Sequence, residues 1–378
     1  MTDHETGALQ DQIDSRRREI YTSKLTMSIG ELTNMYREFE LELQPEFQRL
    51  FRWSIVQKSR LIESLLLGIP LPSIFVHQRQ DGVWDVIDGV QRLSTILEFM
   101  GLLRDEDDKI YPISTLVGTE YLPGLEGYYW SGTQGAPSLT PDQQRLIKRA
   151  VIDVSIVSRE SDANTKFDLF QRLNSGGSML SDQEIRNALL VMVNREFFEW
   201  LANLAKDSNF IESTSLSEKN LTERYDIELV LRFLILFEAT ESELKGAKDL
   251  REFLTQESIK LAKGFDVQRE HLKEVFVKTF SIISAVFPSQ EAFKRYDKEK
   301  SRHLGGFLVS AFESVTVGVA SNLEAISELT EQEQRDFLAE RVRSLWEYEH
   351  FTRNSGAGVR ATTRISSNVP KAREFFRP

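Results

Sequence analysis

The chain changes its rhythm of apolar and polar residues near its middle. Up to about Gly177, alternating runs and helical runs follow one another; beyond it the spacing is almost wholly helical. Ser28 to Phe39 predicts a helix, and Leu41-Glu42-Leu43 a short strand. Arg49 to Leu67 contains a second helical pattern, with Ile62, Leu65, Leu66 and Ile69 on one face. Gly68 stands as its C-cap and Pro70 stops it. Ser73 to Gln78 and Val83 to Ile87 read as strands across Asp81-Gly82, a strong hairpin turn signal. Asp88-Gly89 then leads into a helix with Leu93, Ile96, Leu97 and Met100 at helical spacing.

A looser region from Asp105 to Ser138 is punctuated by glycines. Thr140-Pro141-Asp142-Gln143 combines an N-cap, a proline at the first helical position and a capping glutamine, which starts a helix. Val151 to Val157 alternates as a strand, and Asn164 to Leu173 predicts a short helix ending at Asn174-Ser175-Gly176-Gly177. Ser181 to Glu184 is a further capping box, and Thr330 with Glu333 starts one of the last helices. The order predicts an α+β chain: a polar leader over residues 1–25, an α/β domain over 26–178, a helical domain over 179–350 and a basic tail over 351–378.

Composition narrows the chemistry. Of 378 residues, 40% are hydrophobic and 28% charged, as in a soluble globular protein. No apolar run has the roughly 18 to 20 residues a membrane helix needs; Leu229 to Phe237 is interrupted by Arg232 and reads as a buried helix. With no signal-peptide pattern at Met1 to Ser15, the expectation is a cytoplasmic protein without a membrane partner. The absence of cysteine removes disulfides, thiolate metal sites and thiol nucleophiles, and the five histidines show no paired zinc spacing. A net charge of -11 argues against a generally nucleic-acid-binding surface but leaves room for a local basic groove. The tail, with Arg353, Arg360, Arg364, Lys371, Arg373 and Arg377 against Glu374, reads as a solvated C-terminus or a phosphate-binding surface.

Three stretches can carry chemistry. In the first, a strand delivers Asp88 and Gly89 to the start of a helix, whose first-turn amides and dipole favour a phosphate. Arg92 can fork onto phosphate oxygens, Asp88 can hold a divalent cation or orient a water, and Gln91 lies between them. The plainer reading is an aspartate cap on a surface helix with Arg92 in solvent. The second stretch is Pro45 to Trp53, where Gln48, Arg49 and Arg52 are interleaved with aromatics, as a nucleotide groove or an aromatic-packed helix start. In the third, Arg172 and Asn174 precede Gly176 and Gly177, whose amides can form an anion nest or a simple helix cap. Walker, nucleophile-elbow and Rossmann glycine motifs are missing.

In order and spacing these blocks resemble the N-terminal domain family of GmrSD-type, modification-dependent restriction systems. Gln44 to Trp53, Leu61 to Pro72, Asp88-Gly89-Val90-Gln91-Arg92-Leu93 and Phe170 to Glu184 carry the resemblance. It implies a ParB/sulfiredoxin-like core that binds or hydrolyses nucleoside triphosphates with Mg²⁺, coupled to DNA cleavage by a His-Asn-His nuclease. Val90 replaces the first glutamine of the family's Asp-Gly-Gln-Gln-Arg motif, and no such nuclease motif is present. The expected role is therefore a nucleotide-hydrolysing switch in prokaryotic anti-phage defence. Asp88, Gln91 and Arg92 would be catalytic, and Gln48, Arg49, Arg52, Gly89, Arg172, Asn174, Gly176 and Gly177 would bind nucleotide. DNA, a nuclease or other defence partner, and a second copy of the chain are the expected macromolecular partners. Two other readings stand beside it: a non-catalytic DNA-binding regulator using Arg49, Arg52 and the tail, and a nuclease with its metal on Asp88.

Overall fold

The computed structural model describes residues 22–43, 53–105, 108–132, 135–157, 182–287, 289–356 and 358–378. The chain divides into two compact units, residues 1–192 and 193–378. The first is built on a mixed sheet of β1 (Thr22–Ser28), β2 (Leu41–Glu42), β3 (Ile74–Gln78), β4 (Trp84–Asp88) and β5 (Val151–Val157). Their spatial order is β1-β5-β3-β4-β2. β3 and β4 form the antiparallel hairpin that Asp81-Gly82 predicts; Gly82 takes φ 89°, and the Asp81 carboxylate accepts the Val83 N–H at 3.1 Å. β5 runs parallel to β3, β2 parallel to β4, and β1 antiparallel to β5. Asp88 at the end of β4 and Ile74 at the start of β3 thus share one end of the sheet.

Alternation along these strands sends Ile74, Val76, Val86, Ile152, Val154 and Ile156 to one face. There they meet Ile29 and Leu32 of α1 (Ile29–Arg37), Ile62 and Leu65 of α2 (Ile55–Leu67), Leu93 and Ile96 of α3 (Val90–Phe99), and Ile147 of α4 (Pro141–Arg149). α5 (Asp182–Val193) runs to the boundary of the first unit. Ser54 with Gln57 and Thr140 with Gln143 close full capping boxes on α2 and α4. Gly68 ends α2 in the left-handed region, at φ 70°. That turn carries Ile69 off the apolar face predicted for it, and its side chain is 44% exposed. A buried Lys58–Glu98 ion pair ties α2 to α3.

The second unit is helical, as the spacing predicts. It begins with α6 (Arg195–Leu204), α7 (Ser208–Thr214), α8 (Glu218–Thr222), α9 (Tyr225–Glu238), α10 (Glu241–Gly246), α11 (Leu250–Lys263) and α12 (Phe265–Val286). A small hairpin that the spacing did not predict, β6 (Arg295–Asp297) with β7 (Arg302–Leu304), interrupts the helices. Then follow α13 (Val309–Ala320), α14 (Leu323–Ser327), α15 (Glu331–Ser344), α16 (Glu349–Ser355) and α17 (Ala361–Phe375). Leu229 to Leu236 lie in a buried helix, as expected, and Arg232 is accommodated there by ion pairing. It donates to Glu228 at 3.0 Å and to Glu313 of α13 at 2.8 Å, while Arg364 of α17 reaches both oxygens of Glu313 at 2.8 and 3.1 Å.

The last residues are packed helix instead of a solvated tail. Ile365, Val369, Ala372 and Phe376 are buried, and Gly318 lets α13 approach so closely that a Cβ there would meet the Phe376 ring at 2.3 Å. Arg353 pairs with Glu349, Lys371 with Glu374, and Arg373 donates to the carbonyls of Leu236, Phe237 and Ala239. Charge clusters read along one dimension look solvated; here Arg364 and Arg373 find their acceptors on other helices, while Arg353 and Lys371 pair at the surface within their own.

Candidate functional site

The strongest motif of the sequence sits where β4 turns into α3. The β3–β4 register is regular from Gln78↔Trp84 to Val76↔Val86, then shifts so that Phe75 faces Asp88. Ile87 is the additional residue, a bulge of the kind that bends a strand and re-aims the side chain after it. Gly89 follows at φ 99° and caps α3. Two facts restrict this position to glycine: the left-handed backbone, and Ile74, whose Cγ2 would lie 2.4 Å from an added Cβ. A glycine cap brings no side chain to the first-turn amides, and that turn holds no acidic residue. The plainer sequence reading, an aspartate cap, is therefore not what forms.

Asp88 is 42% exposed in its side chain and Arg92 only 12%. Arg92 does not extend into solvent. Its Nη2 donates to Asp88 Oδ2 at 3.0 Å, and its Nη1 donates to the carbonyls of Ser73, at 3.0 Å, and of Pro72. The guanidinium thus binds the start of β3 to the end of β4. Burial pulls its pKa below the ordinary arginine value, and Asp88 offsets this only in part. Gln91 is half-buried, and its carbonyl accepts the hydroxyls of Ser94 and Thr95. Val90 is 1% exposed and belongs to the core.

Other predicted positions divide in two. Gln48, Arg49, Arg52, Arg172, Asn174, Gly176 and Gly177 lie outside the described residues. β2 runs parallel to β4, so Leu43, just ahead of the first of these segments, leads toward the Asp88 end of the sheet; Val157, ahead of the other, stands at the opposite end. Glu63 is a loop anchor: its buried carboxylate accepts the Tyr121 and Leu122 N–H groups at 3.0 Å and the Thr119 hydroxyl. Trp53 is packed on the core and Trp130 is buried in it, 5.8 Å from Phe99.

The sequence reading missed a polar row on the β2–β4 side. Arg79 reaches Glu42 at 2.8 Å and the buried Asp85 at 3.5 Å. Alternation in Phe75-Val76-His77-Gln78 and Trp84-Asp85-Val86 carried that signal, since Asp85 and His77 occupy the same side opposite the core. The acceptor roles of Pro72 and Ser73 had no signal, because backbone carbonyls exist at every position. Among the described residues, no group of three or more metal-ligating side chains gathers, and no helix is long and apolar enough to cross a membrane.

Comparison with known proteins gives one family. Residues 29–191 match the model of the GmrSD restriction endonuclease, N-terminal domain. The matched span contains the β4–α3 junction and both segments that hold the other predicted binding residues. A search of curated proteins finds no match.

Proposed function

Since residues 29–191 belong to the GmrSD N-terminal domain family, we propose that the chain binds and hydrolyses a nucleoside triphosphate at the β4–α3 junction. The observation that carries this reading is the half-exposed Asp88 carboxylate beside a helix start capped by glycine alone. Amides of that first turn receive phosphate oxygens, and Gly89 lets the backbone come close to them. Asp88 brings a carboxylate to this helix start, which suits Mg²⁺ arriving with its nucleotide, held by one or two carboxylates, phosphates and water. When bound, Mg²⁺ neutralises the charge that builds on the phosphate oxygens. Gln91 orients the attacking water, and Arg92 supplies positive charge beside the phosphates. Gln48, Arg49, Arg52, Arg172, Asn174, Gly176 and Gly177, which lie outside the described residues, are the further nucleotide-binding candidates that the family resemblance supplies.

Val90 takes one polar side chain out of the motif, which leaves binding in place and weakens hydrolysis. Its side chain is part of the core, so the glutamine it replaces would meet packing at this position in this chain. Hydrolysis falls to Gln91, which survives.

In its setting the chain works as a nucleotide-controlled component of a prokaryotic, restriction-like anti-phage system, in the cytoplasm. A separate nuclease partner, or a second copy of the chain with DNA, receives the signal through the helical unit. The DNA-binding alternative loses part of its support, because Arg364 and Arg373 are committed to Glu313 and to backbone carbonyls.

The test is binding and phosphate release with each of the four nucleoside triphosphates, with and without Mg²⁺. Release by the wild-type chain should fall by about 100-fold or more in Asp88→Ala. Absence of binding to all four would overturn the reading.

A further inference from the structure

Arg92 divides its two terminal nitrogens between unlike partners. Nη1 is held by the carbonyls of Pro72 and Ser73, which are fixed parts of the backbone at the start of β3. Nη2 is held by the side chain of Asp88, which is 42% exposed and can turn. Burial disfavours the Arg92 charge, and a single carboxylate offsets that only in part. Arg232, equally shielded at 12% exposure, has two carboxylates by contrast, and its pKa is raised. Arg92 is thus a buried cation with one anchored hand, one exchangeable hand and room for more negative charge.

Resting on the proposed nucleotide site, we infer that Arg92 and Asp88 form a latch whose opening couples the divalent cation to the triphosphate. The Arg92 charge 3.0 Å from Oδ2 opposes a cation on the Asp88 carboxylate. A phosphate that takes the second N–H of Nη2 meets the Asp88 carboxylate beside it, so the two anions compete for one edge of the guanidinium. Either ligand alone leaves one of two closely placed charges without its partner, in a site where Arg92 is 12% exposed. When both bind, the carboxylate passes to the cation and the guanidinium to the phosphate. Nη1 stays on Pro72 and Ser73, so the guanidinium pivots without leaving. The coupling is reciprocal: Mg²⁺ strengthens triphosphate binding by the factor by which triphosphate strengthens Mg²⁺ binding.

A double-mutant cycle on the full chain tests the latch, with inorganic tripolyphosphate as the probe because it carries the charge without a base. Asp88→Asn frees Nη2 from a charged partner, so metal-free tripolyphosphate should bind about tenfold more tightly, the scale of one charge-assisted hydrogen bond. The same substitution made in Arg92→Gln should give no such gain, since the gain passes through the guanidinium. An equal gain in both backgrounds would mean that Asp88 merely repels the anion, and it would overturn the latch while leaving the nucleotide site standing. Wild-type protein that ignores tripolyphosphate with Mg²⁺ and all four nucleoside triphosphates would overturn the site itself, and the latch with it. Thermal melts establish that each variant is folded; if Asp88→Asn fails, Asp88→Ser removes the same charge and reads the same cycle.

Discussion

Each unit of the chain contains an arginine bound to carboxylate, and the two arrangements behave differently. In the helical unit, Arg232 and Arg364 share Glu313, and Arg232 also holds Glu228; Glu313 is 2% exposed. Two cations and two anions close on one another in the interior, and the two carboxylates raise the Arg232 pKa against the effect of burial. At the β4–α3 junction one arginine meets one carboxylate that is half in solvent, and the Arg92 pKa is lowered instead. A closed, balanced network is a structural device. A single pair that is open to solvent on its carboxylate side, beside a glycine-capped helix, has capacity left for a ligand.

The comparison is sharpened most by removing one member from the closed network. Glu313→Ala leaves two buried guanidinium groups short of charge and should cost about 3–5 kcal/mol of stability, measured by denaturant unfolding. Asp88→Asn, at the half-open pair, should cost less, about 1–2 kcal/mol, because the amide oxygen can still accept from Arg92 and water reaches that side. Similar losses at the two sites would erase the distinction drawn between them.

Next in size is Gly89→Ala. It forces a side chain into the left-handed region and against Ile74, for a cost of about 2–4 kcal/mol. If the unfolding midpoint hardly moves, the backbone at the junction is not held as described, and the pair at Asp88 loses its rigid frame.

The smallest effect asks whether polar burial in the helical unit extends past the arginine network. His303 is half-buried between Phe287 and Tyr296, and burial lowers its pKa. The folded state therefore disfavours the proton. This contribution to stability is present above the ordinary histidine value of about 6.5 and is lost as pH falls through the lower folded value. Melting temperature should drop between neutral and mildly acidic pH, and less so in His303→Phe. An identical pH dependence in both proteins would remove His303 from the account.

Much of this was legible along the chain. Capping boxes at Thr140 and Thr330 were read from local chemistry, although the equally local ones at Ser54 and Thr240 were not, and alternation in β3, β4 and β5 gave the strands and their buried sides. Asp81-Gly82 gave the hairpin. The junction of Asp88, Gly89 and Arg92 was recognised as strand, glycine turn and helix, but its wiring was not. The acceptors of Arg92 Nη1 lie 19 and 20 residues away and are backbone atoms, which leave no residue-type signature. The Ile87 bulge depends on how two strands meet, so no single strand encodes it visibly. Arg364 looked like part of a solvated tail because its carboxylate is 51 residues distant.

Arg373 and Phe376 also impose an order in time. Arg373 covers the Leu236 carbonyl from 137 positions further along, and Phe376 lies over Gly318. As the protein is synthesised, α9 waits with its last carbonyls uncovered, and α13 waits with a groove at its glycine. Neither can be finished until α17 exists, so the helical unit closes late, whatever the speed at which its separate helices form.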